Sequence, residues 1–146
     1  MYIVRVWRVV IDTNVVTAAL RSRDGAAFAV MDLIATGYLK PLLSVPLLFE
    51  YEAVLRRPEQ IREHQLSESE ISRYLASVVM LAEPVTIHFL WRPQLKDPKD
   101  EMVLETAING RADALVTHNV RDLGPAAAQF SLPVYRPGEL LKRLKS

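Results

Sequence analysis

The sequence contains no cysteine. That excludes a disulfide framework, a thiolate metal site and a cysteine nucleophile, and it fits a reducing compartment. Histidine is scarce, at 3 residues in 146, so a nitrogen-rich metal centre is hard to assemble. No apolar run approaches the roughly 18 residues that a membrane span needs. The amino-terminal apolar stretch is broken by Arg5 and Arg8, unlike the uninterrupted core of a signal peptide. The expectation is therefore a soluble, cytoplasmic protein that does not engage a membrane. A charge of one sign is lacking too: 18 Lys and Arg face 17 Asp and Glu, for a net charge of +1. The bulk basic footprint of a nucleic-acid binder is absent, so any contact with RNA or DNA needs a local patch. There is no glycine-rich phosphate loop and no Gly-x-Ser-x-Gly nucleophile elbow. An Asp-x-Asp phospho-aspartate pattern starting at Asp12 fails, because the second acid is replaced by Asn14.

What remains is ordinary globular composition, 50% hydrophobic and 24% charged. A chain of this length fits one domain, expected over residues 1–146, and can bury roughly 68–70% of its unfolded surface without staples. The run Ile3 to Ile11 is rich in β-branched residues and predicts a strand. A short helix is expected over Val15 to Leu20. Asp24-Gly25 marks a turn, and Ala26, Ala29, Val30, Leu33 and Ile34 then repeat at helical spacing up to Gly37. Leu42, Leu43 and Val45 suggest a buried strand, and Pro46 can open the helix that carries Leu47, Tyr51, Val54 and Leu55. Ser67 and Glu70 form a capping-box pattern ahead of the stripe Ile71, Tyr74, Leu75, Val78, Val79 and Ala82. Val85 to Phe89 reads as a strand, and Asp97 to Gly110 as a helix that Gly110 closes. Ala114 to Thr117 is a buried strand, Leu132 to Tyr135 a weaker one, and a last helix covers Pro137 to Lys145. Strands alternating with helices indicate an α/β fold with a parallel sheet covered on both faces. There is no repeat or linker, and Arg56 to Glu70 is the only candidate for a mobile connection.

In open α/β sheets, ligands bind outside the carboxyl ends of strands, where the strand order reverses. Two polar segments directly follow apolar strands: Asp12, and Thr117-His118-Asn119-Val120-Arg121-Asp122. If those strands are neighbours, Asp12, Asn119 and Asp122 face one crevice. Asp97 and Asp100 open a helix that leads to the same strand, and Glu50 lies at the edge of a buried helix face. Such a cluster is rich in oxygen, which suits Mg²⁺ or Mn²⁺ and disfavours zinc. Each residue also has a structural explanation. Asp12 can start a turn or cap a helix through Thr13, Asp97 and Asp122 can cap helices, and Asp100 can serve the helix dipole. Glu50 can be a solvated helix residue, and His118 an ordinary loop histidine.

The motifs carry a resemblance that covers nearly the whole chain. Val9-Val10-Ile11-Asp12-Thr13-Asn14-Val15 is similar to the first motif of PIN-domain proteins, and Leu47-Leu48-Phe49-Glu50-Tyr51 to the second. Asp97-Pro98-Lys99-Asp100-Glu101, with Ala107 beyond, resembles the third. Ala112-Asp113-Ala114-Leu115-Val116-Thr117-His118-Asn119 resembles the fourth, and Val134 to Leu141 the usual ending. The likeness is to the toxin-like (VapC-type) members of toxin–antitoxin pairs. It implies a three-layer α/β/α sandwich with a central parallel sheet of four or five strands. The implied activity is that of a Mg²⁺- or Mn²⁺-dependent ribonuclease, often dimeric, blocked by a separately encoded antitoxin. Carried over by motif, Asp12, Glu50 and Asp100 would be the main metal ligands, with Asp97 competing for the third role. The fourth position departs from the commonest pattern: Asn119 stands where many relatives have Asp, and Asp122 is the alternative source of that charge. Thr13, Asn14, Thr117 and Arg121 are candidates for contact with RNA. Arg21, Arg23, Arg56 and Arg57 join Arg121 as candidates for the basic rim.

Overall fold

A computed structural model describes residues 5–88 and 97–145. Five strands form in chain order, β1 (Trp7–Ile11), β2 (Leu39–Leu43), β3 (Glu83–Pro84), β4 (Ala114–Val116) and β5 (Val134–Tyr135). The helices between and after them are α1 (Thr13–Arg21), α2 (Ala26–Ala35), α3 (Val45–Leu55), α4 (Pro58–His64), α5 (Glu68–Leu81), α6 (Pro98–Gly110), α7 (Val120–Ala128) and α8 (Pro137–Lys145). Val9, Val10 and all three residues of β4 are fully buried, as continuous apolar strands in a covered parallel sheet should be. The two segments are neighbours, paired in parallel with Ile11 opposite Val116. The complete order is β3-β2-β1-β4-β5, and every pairing is parallel. Strand placement runs one way from β1 to β3 and the other way from β4 to β5. Right-handed crossovers then put helices on opposite faces, which gives the expected α/β/α sandwich. The reversal lies between β1 and β4, so the crevice opens at their carboxyl ends. No helix among the described residues is long and apolar enough to cross a membrane.

Local chemistry explains most of the boundaries. Gly37 takes a φ of 87° and Tyr38 N donates to Leu33 O at 2.8 Å, a glycine-dependent helix stop. Ser67 and Glu70 complete the capping box of α5. At the amino-terminal edge of the sheet Arg8 is a clamp. Its guanidinium binds Glu83 of β3 at 3.1 Å and Gly110 O at 2.8 Å, tying an edge strand and the end of α6 to β1.

Five expectations need correction. Val45, placed with Leu42 and Leu43 in a buried strand, instead opens α3 and is 62% exposed, because the Ser44 cap ends the strand before it. The strand placed over Val85 to Phe89 lies earlier, at Glu83–Pro84. Val85 N still bonds Leu43 O at 2.9 Å, but His88 N is taken by Asn109 Oδ1 at 2.8 Å, away from the ladder. Phe89, like Ile3 and Val4 of the first run, lies outside the described residues. The stretch Arg56 to Glu70 is structured rather than a loose connection. Pro58 opens α4, and the His64 ring spans Leu55 O and Leu66 N, each at 2.9 Å. Gly110 does not supply the left-handed stop of α6, because Arg111 does, with φ 52°. Glycine at position 110 serves another purpose, close packing: a Cβ there would sit 2.9 Å from both Leu42 Cδ1 and Val85 Cγ2, so those side chains would have to shift. Finally, Val79 of the α5 stripe is 46% exposed, on the solvent side of that helix.

Candidate active site

Asp12 directly follows β1 and is 7% exposed. It holds the cap position of α1, yet its side chain makes no cap bond. Capping, the structural explanation of an aspartate there, therefore leaves this carboxylate unused. Thr117 Oγ1 donates to Asp12 Oδ2 at 2.7 Å, and Asn14 Nδ2 reaches the same oxygen at 3.3 Å. Burial pushes the Asp12 carboxyl above its ordinary range, against the pull of bonds from Thr117 and the Thr13 backbone.

The turn after β4 connects this acid to a second. Asn119 N donates to Thr117 Oγ1 at 2.9 Å, and Asn119 Nδ2 donates to Asp100 Oδ2 at 3.3 Å. Asp100 sits in the first turn of α6. Burial, followed by the negative charges of Asp12, Asp97, Asp122 and Glu101, pushes its carboxyl up to about 6. Asp97 behaves as its structural explanation requires, its Oδ1 capping α6 through Lys99 N at 2.9 Å.

Glu50 comes from α3, which is fixed at two points. Ser44 Oγ caps the helix through Leu47 N at 3.3 Å and lies 2.7 Å from Thr106 Oγ1 of α6. The buried Tyr51 hydroxyl donates to Ile11 O, the residue before Asp12. Burial and the nearby Asp12 charge hold the phenol proton on well above its ordinary range. Glu50 is thereby set at the cleft, with Lys99 Nζ 3.9 Å from its Oε1.

Asp12, Thr13, Asn14, Glu50, Asp97, Asp100 and Asn119 line one open cleft of about 320 Å³. Of the remaining expected residues, Thr117 is buried behind Asp12. Asp122 and Arg121 are exposed in the first turn of α7 and outside the lining, although the Asp122 charge still reaches Asp100. Thr17, Gln60 and Lys99 also line the cleft and were not singled out from the sequence. Lys99 sits in plain view between Asp97 and Asp100. Gln60 could not be found, because only the formation of α4 brings it there.

The donor set fits a hard divalent cation in kind, since the lining acids offer oxygen alone. Thr13 Oγ1 and Gln60 Oε1, both from lining residues, are buried without a hydrogen-bond partner among the described residues. Buried polar atoms are normally satisfied, so these two are consistent with a bound solute. The acids nevertheless form a loose ring: among the described residues, no three His, Asp or Glu side chains stand as a finished cation site.

Comparison with known proteins adds the family. No curated protein matches the chain. Among solved structures it is similar to a chain of VapBC2 from Rickettsia felis, determined bound to a DNA fragment from their promoter. The TM-score is 0.56 at 14% identity, over 88% of this chain and 98% of that one. Likeness at that identity is a likeness of fold. A sequence profile described as the PIN domain matches residues 8–121. That span takes in β1 from Arg8 onward with Asp12, the helices bearing Glu50 and Asp100, and the turn from Thr117 to Asn119, and on it the chain belongs to the PIN domain family.

Proposed function

We propose that this protein is a Mg²⁺- or Mn²⁺-dependent endoribonuclease that hydrolyses RNA phosphodiesters as the toxin of a toxin–antitoxin pair. The observation that supports it is the meeting of Asp12, Glu50 and Asp100, from three distant stretches of chain, in one cleft. A divalent cation held there would supply Lewis-acid charge to the attacked phosphodiester and activate water. Asp12, Glu50 and Asp100 would hold it, with Asp97 partly committed to its helix cap and Asn119 or Asp122 completing the set. Thr117 and Asn14 orient Asp12, and Asn119 orients Asp100. Lys99 balances the charge of Glu50. Thr13, Asn14, Thr117 and Arg121 are the proposed contacts to RNA, Arg121 from beyond the cleft. The antitoxin partner and the homodimer belong to the same reading and follow from the likeness to toxin-like relatives.

A second reading is a PIN-fold module that binds nucleic acid or protein through a weak or inactive metal site. It is favoured by Asn119 in place of an acid and by the Lys99 ammonium 3.9 Å from Glu50. Incubating RNA with the purified protein and Mn²⁺, with and without EDTA, separates the two. Cleavage that EDTA abolishes, and that Asp12→Asn protein lacks, supports the nuclease. Tight binding without cleavage at any metal concentration supports the module.

A further inference from the structure

Beside the acidic cleft lies a second, larger one of about 540 Å³, lined by Arg21, Ser22, His118, Arg136, Glu139 and Lys142 among others. Three cations face a single carboxylate there, on a chain whose net charge is only +1. The two clefts adjoin. Thr17 lines the first and Ala18 the second, and His118 N donates at 3.2 Å to Asn14 Oδ1, a residue of the acidic cleft. Glu139 is already engaged, accepting from Arg136 N at 3.1 Å and from its Nη1 at 3.5 Å. A guanidinium carries five donors, so Arg136 keeps most of its capacity. Arg21, Arg136 and Lys142 are all exposed to solvent. The first turns of α2 and α8 open on the same space through Ala26 and Pro137, and α2 has no side-chain cap. Its first N–H groups and helix dipole add to the positive field.

We propose that this basic cleft is a phosphate subsite for single-stranded RNA, holding the backbone next to the phosphodiester presented to the acids. The proposal rests on the nuclease reading and specifies where its substrate's flanking phosphates bind. An acidic site repels a polyanion, so a nuclease of nearly neutral net charge needs local cations close to the reacting bond. The cleft supplies them one turn of α1 away, with Arg21 following Thr17 by four residues. Arg136, just before α8, and Lys142, in its last turn, extend the path along that helix.

The test uses the whole protein carrying Asp12→Asn, in EDTA, with a fluorescent single-stranded RNA followed by anisotropy across a salt series. Each phosphate contact to a single strand contributes about −0.7 to the slope of log K against log salt. Adding Arg136→Gln and Lys142→Gln should flatten that slope by about 1.4 and weaken binding about 25-fold at 0.1 M salt. Lys40→Gln, a lysine outside this cleft, should change neither, and circular dichroism checks the fold of each variant. In protein with Asp12 intact, the double change should raise KM for RNA far more than it lowers kcat. An unchanged slope and affinity in the double variant, with cleavage intact, overturns the subsite and leaves the nuclease reading standing. RNA binding by neither form, with no cleavage by the parent, overturns both. If the cleft instead captures an acidic peptide while RNA affinity is unmoved, the subsite proposal is overturned in favour of a protein partner.

Discussion

Asp12 and Asp100 are carboxylates kept in surroundings that disfavour their charge. Replacing Asp12 by Asn removes that charge and preserves an acceptor for Thr117. Asp12→Asn should cut RNA cleavage by at least two orders of magnitude. The EDTA-treated variant should melt at or above the temperature of the parent, as followed by circular dichroism. Asp100 sets a pH dependence. Its carboxyl rises from an ordinary 3.8 to about 6, so between those values the folded protein holds a proton that the unfolded chain has released. Without cation, the stability due to this group is therefore greatest at low pH and declines as pH rises from about 4 to 6. A cation competes with the same proton. Mn²⁺ affinity should fall about tenfold per pH unit below about 6 and level off above it. Titration calorimetry at pH 5, 6 and 7 measures this, and a flat affinity would rule out Asp100 as a ligand. Asp12 and Thr117 were legible in the sequence because each directly follows an apolar strand. Lys99 and Gln60 were not, since their place depends on how α6 and α4 pack, and no local pattern encodes that.

At the scale of elements, the cleft depends on α3 and α6 keeping their relative placement. The Ser44–Thr106 contact at 2.7 Å joins them, and Ser44 also caps α3. Ser44→Ala should destabilise the protein by about 1–2 kcal/mol, through the lost cap and a buried Thr106 hydroxyl deprived of one partner. Thermal or urea unfolding gives the value, and Mn²⁺ affinity should weaken with it. Gly110→Ala tests the packing of α6 against the sheet. Alanine gains about 1 kcal/mol in helix propensity, but its Cβ would stand 2.9 Å from Leu42 and Val85, and overpacking costs about 1–3 kcal/mol. The expected net is a loss of up to about 2 kcal/mol. Helix ends were legible because caps are local: Ser67 with Glu70 and Pro98 after Asp97 mark starts, and Gly37 marks the stop of α2. Two features were not. β3 is bounded by long-range bonds: Val85 N still reaches Leu43 O, and His88 N leaves the ladder for Asn109. The polar stretch holding α4 hid a helix, because few apolar residues mark its face.

For the molecule as a whole, the decisive fact is the adjacency of β1 and β4. The sequence supplied two strands ending in polar residues, and their pairing turns separate motifs into one crevice. The α/β pattern left that pairing as a condition, since strand order is a property of the entire chain. The measurement that tests this most directly is Mn²⁺ binding by calorimetry near pH 7. It compares the parent with Asp12→Asn, Glu50→Gln and Asp100→Asn, each checked for intact fold. The account predicts a binding site in the parent that each substitution weakens at least tenfold. Mn²⁺ at 100 times its dissociation constant should also stabilise the parent by about 2.7 kcal/mol. A parent that binds no Mn²⁺, or three variants that bind it as the parent does, would contradict the account.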